Sequence, residues 1–363
     1  MFLVQLIQAR SGQHLFRSRS ESQYDRVIER RGTTMRRRDF IKAVTTSALA
    51  WPLSARAQPV KTRRVSALLG LAEKDPEASA RVKAFRLGMR DLEWIEGRNI
   101  QIDYRFAGSN LDLIKKHVEE LVKSPPEVIL ANSTPIMAAL KPATSTIPIV
   151  FVVVNDPVGQ GFIPNLRQPG GNITGYSFIE PEIIGKWINL LSDIKPGLTR
   201  VTLMFNPKTA PYYDRFIESY KALRGPSPVE VSGAHVQSVP DIERAVADLA
   251  RDRGGGLIAP GDPYVLTTRG AILGAARQHE LPLISPYRQF VAEGSLMSYG
   301  PDTADIFRRS SSYVDRILKG ELVGNLPAQS PDKFELAINL KTAKALGLPV
   351  RQTFLFLADE VIE

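Results

Sequence analysis

Ile149-Val-Phe-Val-Val-Val154 runs directly into Asn155-Asp156-Pro157. Six consecutive apolar residues, five of them β-branched, lack the alternation of a half-exposed strand. They read instead as a strand covered on both faces, as in a parallel sheet. The Asp-Pro that follows predicts a helix start. An aspartate can accept a hydrogen bond from an orphan helix N–H, and a proline at the next position has no N–H to lose and a φ already suited to a helix. The same join between apolar run and cap-plus-proline recurs at Thr134-Pro135, Asn206-Pro207, Asp262-Pro263 and Ser285-Pro286. Each is expected to begin a helix. Because ligands in open α/β sheets bind outside the carboxyl ends of strands, these five joins point to a ligand cleft between two lobes.

Working outward, short apolar runs alternate with segments of helical period, the signature of parallel sheets with crossover helices. In a first lobe the predicted strands are Val65–Leu71, Ile100–Phe106, Val128–Ala131, Ile149–Val154 and Asn172–Tyr176, with helices over Ser79–Trp94 and Leu111–Val122. A second lobe would take strands Val201–Phe205, Pro228–Val231, Gly256–Ala259 and Leu283–Ile284, with helices near 183–194, 211–223, 240–251 and 265–279. Ser295–Tyr299 and Ala304–Leu318, a strand and a helix, are assigned to the first lobe. Phe334–Asn339 and Leu340–Leu346 are assigned to the second. The expected fold class is therefore α/β, with two doubly wound parallel-sheet lobes, 58–175 plus 291–323 and 176–290 plus 324–363. The chain would cross between them near 176, 290 and 325.

The amino-terminal region reads as an export signal. Met35-Arg-Arg-Arg-Asp-Phe-Ile-Lys42 is followed by a mild apolar run to Trp51 and by Ala55-Arg-Ala57. A cationic patch, a short apolar segment and a small-x-small exit are the parts of a cleavable signal, and Arg37-Arg38 with Phe40 resemble the twin-arginine variety. The apolar run is far shorter than the roughly 20 residues that cross a bilayer. Cleavage after Ala57 would start the mature chain at Gln58, residues 1–57 being an upstream extension and signal, with Met35 the favoured start of translation. Seven of the nine net positive charges of the chain lie in residues 1–57. The remainder carries only +2, so the basicity gives no support to a nucleic-acid partner. The chain has no cysteine, which excludes disulfides and a lipid-bearing Cys. The expected product is periplasmic and monomeric.

Motifs for chemistry are missing. His14, His117, His235 and His279 are far apart and show no metal-ligand spacing. There is no nucleophile elbow, phosphate loop or Gly-x-Gly-x-x-Gly after the first strand, and Gly254-Gly-Gly256 precedes a strand rather than following one. Catalysis and bound cofactors are not expected. An enzyme built on carboxylates such as Asp156 and Asp262 is the weakest alternative.

The chain resembles substrate-binding proteins of ABC transporters, in the branch that includes predicted aromatic amino-acid binders. The strings that carry the resemblance are Met35-Arg-Arg-Arg-Asp-Phe-Ile41, Trp51-Pro-Leu-Ser-Ala-Arg-Ala-Gln58, Phe85-Arg-Leu-Gly-Met89, Glu96-Gly-Arg-Asn-Ile100, Ala143-Thr-Ser-Thr-Ile-Pro-Ile-Val-Phe151, Asp156-Pro-Val158, Arg167-Gln-Pro-Gly-Gly-Asn-Ile-Thr-Gly175 and Asn206-Pro207. It departs from that pattern at Asn132-Ser-Thr-Pro135, where relatives carry a glycine-richer turn. The resemblance implies a type I periplasmic-binding fold whose lobes, joined by a three-crossing hinge, close on a small ligand. It also implies an ABC permease partner. A periplasmic sensor that presents its ligand to a membrane kinase would share these features, whereas a regulator of this fold would need a helix-turn-helix where the leader stands. At the strand ends, Ser133 and Thr134 are the expected seat of a ligand carboxylate, and Asp156 or Asp262 the partner of an amine. Tyr212 and Tyr264 would supply aromatic walls, with Leu71, Asn155 and Asn206 at neighbouring strand ends. On this reading Asp262→Ala weakens binding and spares the fold.

Overall fold

The computed structural model describes residues 62–224, 228–251 and 253–363. The leader residues Arg37, Arg38, Phe40, Ala55 and Ala57 lie outside the described residues. Among the described residues no helix is long and apolar enough to cross a membrane.

Five parallel strands form the first sheet: β1 (Arg63–Leu69), β2 (Ile100–Phe106), β3 (Val128–Asn132), β4 (Ile149–Val154) and β5 (Ile173–Ser177), in the order β2-β1-β3-β4-β5. Every residue of β3 and β4 is buried, as their unbroken apolar runs require. The crossover helices are α1 (Pro76–Asp91), α2 (Leu111–Lys123) and α3 (Thr134–Ala143). The α1 helix begins at another cap-proline pair, in which the Asp75 side chain accepts from the Glu77 N–H and Pro76 takes the first helical position.

After β5 the chain enters a second lobe. Its elements are α4 (Ile183–Ile194), β6 (Arg200–Phe205), α5 (Tyr212–Arg224), β7 (Glu230–His235), α6 (Val239–Ala250), β8 (Gly255–Ile258), α7 (Pro263–Thr267), α8 (Arg269–Gln278), β9 (Leu283–Ser285), α9 (Arg288–Ala292) and β10 (Met297–Pro301). The chain then returns to the first lobe as α10 (Thr303–Leu318), and finishes as β11 (Phe334–Asn339), α11 (Leu340–Ala345), α12 (Gln352–Leu355) and β12 (Glu360–Ile362). The second sheet has the order β12-β11-β10-β9-β8-β6-β7, with the β10–β11 pair antiparallel.

Two boundaries differ from the sequence reading. The strand near Ser295–Tyr299 belongs to the second sheet, because Met297 and Ser298 of β10 stand in parallel register with Ile284 and Ser285 of β9. Only α10 goes back. Secondly, the segment after α10 stays with the first sheet beyond residue 324. Thr174 donates to the Leu326 carbonyl, and Gln329 exchanges backbone hydrogen bonds with Gly175 and Ser177 along the edge of β5.

The return of α10 is held by close packing against α1. The buried stripe of α1 is Ala78, Arg81, Phe85, Gly88 and Met89. A Cβ on Gly88 would lie 2.3 Å from Ser311 Oγ and 2.6 Å from the Arg308 carbonyl oxygen of α10, so this glycine sets how near the two helices approach.

Candidate functional site

In each sheet the strand order reverses where two consecutive parallel strands lead off in opposite directions: between β1 and β3 in the first, between β6 and β8 in the second. Such switch points leave a crevice at the carboxyl ends of the strands. One cavity lies where these ends meet. From the first lobe it is lined by Gly70 and Leu71 after β1, Asn132 at the end of β3 with Ser133 and Thr134 after it, Val153 and Asn155 around the end of β4, and Arg81 of α1. From the second lobe come Gly261, Pro263, Leu266 and Tyr287. Its free volume is about 10 Å³, room for roughly one water.

The backbone around it is strained. Ser133 has φ 94°, Val153 φ 56° and Asp156 φ 40°, positions that L residues rarely adopt and a β-branched valine least of all. Ser133 stands where a glycine-richer turn was the family expectation, and it takes a glycine-like conformation. The Val153 strain accompanies a register shift between β4 and β5. Together these kinks turn the residues after β3 and β4 toward the second lobe.

Asn155 joins the two lobes. Its Nδ2 donates to Tyr212 Oη at 2.6 Å and to the Gly261 carbonyl at 2.7 Å, while its own N–H donates to Thr134 Oγ1 at 3.1 Å. Because Gly261 O can only accept, the amide nitrogen must face it, which leaves Asn155 Oδ1 on the other side. Among the described residues that oxygen is buried without a partner, as are Ser133 Oγ and Arg81 Nη2. All three belong to residues that line the cavity.

Leu71, Ser133, Thr134 and Asn155, all expected at the site, line the cavity. Tyr212 stands one layer behind, buried, with its hydroxyl tied to Asn155 and its ionisation strongly disfavoured by burial. Tyr264 is half-buried and does not line the cavity; Asn206 is also outside it.

The two aspartates do other work. Asp262 is fully buried and accepts from the Asn206 N–H at 3.0 Å, the Thr209 hydroxyl at 2.7 Å and the Tyr264 N–H at 3.0 Å. Both oxygens are engaged inside the second lobe, and burial pushes the carboxyl up to about 6. Asp156 turns to the rim, where Arg215 reaches from the second lobe to bind its Oδ2 at 2.6 Å and the Gly159 carbonyl at 2.5 Å. Neither aspartate is placed to meet an amine in the cavity. Beside this pair, Glu180 of the first crossing has its carboxyl raised to about 7 by burial, with the neighbouring Asp156 charge adding to the effect.

The cap-proline joins also differ from expectation. Of the five, Asp262-Pro263 starts a helix with its side chain bonded to a helix N–H. Ser133 makes no such bond at the start of α3. Asp156, Asn206 and Ser285 close tight turns instead, accepting from the N–H groups of Gly159, Lys208 and Tyr287. Proline after a polar residue is compatible with a turn as well as a helix start.

Arg81 was not anticipated. Its signal was a lone arginine on the apolar stripe of α1, between Ala78 and Phe85. Tyr287 follows Ser285-Pro286 and could have been found as the aromatic nearest that join. Its ring stacks on Phe178, with centroids 5.4 Å apart.

Two lobes of parallel sheet, three crossings and a cavity closed by residues from both lobes define a hinged ligand-binding protein. The chain belongs to the ABC transporter substrate binding protein family, which matches residues 72–362. It is 25% identical over 274 residues to a tyrosine-binding protein of Clostridioides difficile strain R20291, covering 75% of this chain and 78% of the relative. Among solved structures, a conserved domain protein from Vibrio cholerae O1 biovar El Tor is 27% identical with a TM-score of 0.75, across 83% of this chain and 100% of that one. The ABC domain from Streptococcus pneumonia in complex with L-Trp, 20% identical, has a TM-score of 0.76 over the same shares. The fold is the type I periplasmic-binding fold. The family is one of solute-binding proteins, not of enzymes.

Proposed function

We propose that this chain captures an aromatic amino acid, tyrosine or tryptophan, between its lobes and delivers it to the permease of an ABC importer. The observation that carries this reading is the cavity shared by both lobes, walled by Tyr287, Pro263 and Leu266 on one side and by polar strand ends on the other. A pocket that is mostly apolar with a few aimed polar groups suits a ligand with an aromatic side chain and a charged backbone. The relative named for tyrosine supports the ligand class.

A volume near 10 Å³ cannot hold such a ligand, so the lobes separate to admit it. Opening breaks the Asn155 bonds to Tyr212 and Gly261, the Arg215 contacts, and the 2.8 Å pair between Arg269 of α8 and Asp75 at the start of α1. On closure these contacts re-form around the ligand, which touches both lobes and shifts the population by its extra affinity for the closed form. The leader containing Arg37 and Arg38 carries the protein to the periplasm through the twin-arginine route on this reading, where it acts as a free monomer.

Calorimetric titration of the purified protein with L-tyrosine and L-tryptophan tests the reading. Saturable binding of one ligand per chain is expected, with stabilisation of about 2.7 kcal/mol at a hundredfold excess over Kd. Failure of both to bind at millimolar concentration overturns it.

A further inference from the structure

We infer that ligand recognition at this site is led by the carboxylate, which Arg81 and Ser133 receive, while the ammonium meets only the amide oxygen of Asn155. The inference rests on the amino-acid reading above and deepens it.

Arg81 is 2% exposed. Its Nε donates to Glu77 Oε1 at 3.0 Å, and Nη1 makes a long contact of 3.4 Å to Asn132 Oδ1. The guanidinium carbon Cζ lies over two aromatic rings, 5.8 Å from the Tyr287 centroid and 5.9 Å from that of Phe307. Four neighbours, on α1, β3, α10 and the turn before α9, thus orient the guanidinium. Nη2 nevertheless has no partner among the described residues. Leaving buried donors of a cation unpaired is costly, and more so than for a neutral amide. An anionic acceptor brought by the ligand removes that cost.

Ser133 offers the second donor. Its hydroxyl is unpartnered at 5% exposure, held there by the positive φ of its backbone. A Cβ on Gly70 would come within 2.6 Å of this oxygen, so the glycine keeps the approach to it clear. Both donors are carried by the first lobe, which can therefore seize a carboxylate before closure.

Among the described residues no aspartate or glutamate lines the cavity. The ammonium finds no counter-charge there, only Asn155 Oδ1, whose orientation is locked by the bonds Nδ2 makes to the second lobe. An amino acid and its deaminated acid should then bind alike, and the decarboxylated amine should not.

The test is calorimetry of the full chain with L-tyrosine, 3-(4-hydroxyphenyl)propionate and tyramine, and the tryptophan set in parallel. Expected for the native protein is an acid within about tenfold of the amino acid and an amine weaker by about a hundredfold or more. Arg81→Met should abolish that discrimination by weakening the amino acid and the acid while leaving the amine unchanged. Should Arg81→Met fail to fold, Ser133→Ala serves: a loss of about tenfold confined to ligands bearing a carboxylate supports the inference. Equal binding of tyrosine and tyramine by the native protein overturns it and leaves the amino-acid reading standing. Tight Arg81-dependent binding of the acid with none of either amino acid has the opposite meaning. Unchanged affinities in a folded Arg81→Met also overturn the inference.

Discussion

Replacing Asp262 with alanine should damage the fold of the second lobe, not the ligand contacts. At pH 5 the carboxyl, titrating near 6 in the folded protein, is mostly protonated, so removing it relieves little ionic cost. Of the three donors it serves, the Thr209 hydroxyl can turn to the Asn206 carbonyl, its second acceptor. The Asn206 and Tyr264 N–H groups cannot, and each stranded donor costs about 1–3 kcal/mol. The expected loss is about 4 kcal/mol, or a fall in Tm of about 10 °C. The pH dependence has a definite sign. A carboxyl raised from 3.8 to about 6 by burial contributes stability that is complete below its unfolded pKa and is lost as pH rises through 6. Two-state linkage puts the loss between pH 5 and pH 7 at about 1 kcal/mol. The alanine variant has no such term, so its deficit should be smaller at pH 7 than at pH 5 by about that amount. Glu180, raised to about 7, adds a slope of the same sign to both proteins, so the difference between them isolates Asp262. Thermal melts by circular dichroism at both pH values, with tyrosine titrations alongside, decide it. An Asp262→Ala protein that melts like the native one but binds ligand poorly would refute this account and restore the aspartate to the binding site.

Two further perturbations probe the hinge and its scaffold. Gly88→Ala should destabilise by about 1–2 kcal/mol in a urea titration, overpacking against the Arg308 carbonyl and Ser311 outweighing the gain in helix propensity; an unchanged midpoint would mean that α1 and α10 can separate freely. Arg215→Ala should weaken tyrosine binding about two- to fivefold by calorimetry at low salt, since the side chain is half exposed and such pairs are worth about 0.2–1 kcal/mol. The difference should shrink in 0.5 M salt, and a loss beyond tenfold that is insensitive to salt would place Arg215 on the ligand instead.

The strands, the two parallel sheets and the edge at which to seek a ligand were legible in the chain itself. Unbroken runs such as Ile149–Val154 can be satisfied only by cover on both faces, and the polar residues that end them sit at the carboxyl edge whatever the remaining chain does. Leu71, Ser133, Thr134 and Asn155 stand at that edge, lining the cavity, for that reason. The assignment of β10 to the second sheet required its partners, since a strand of mixed composition pairs equally well on paper with either lobe. The roles of the polar side chains were decided by tertiary structure alone. Asp262 looked like a ligand group until Asn206, Thr209 and Tyr264 occupied its oxygens, and Arg81, to which the sequence assigned no role, is placed by Glu77, Asn132, Tyr287 and Phe307 with Nη2 left unpartnered among the described residues. Hydrophobic patterning is a local property of the chain. Whether a buried donor or acceptor is already satisfied depends on residues tens to hundreds of positions away, and only the folded chain brings them together.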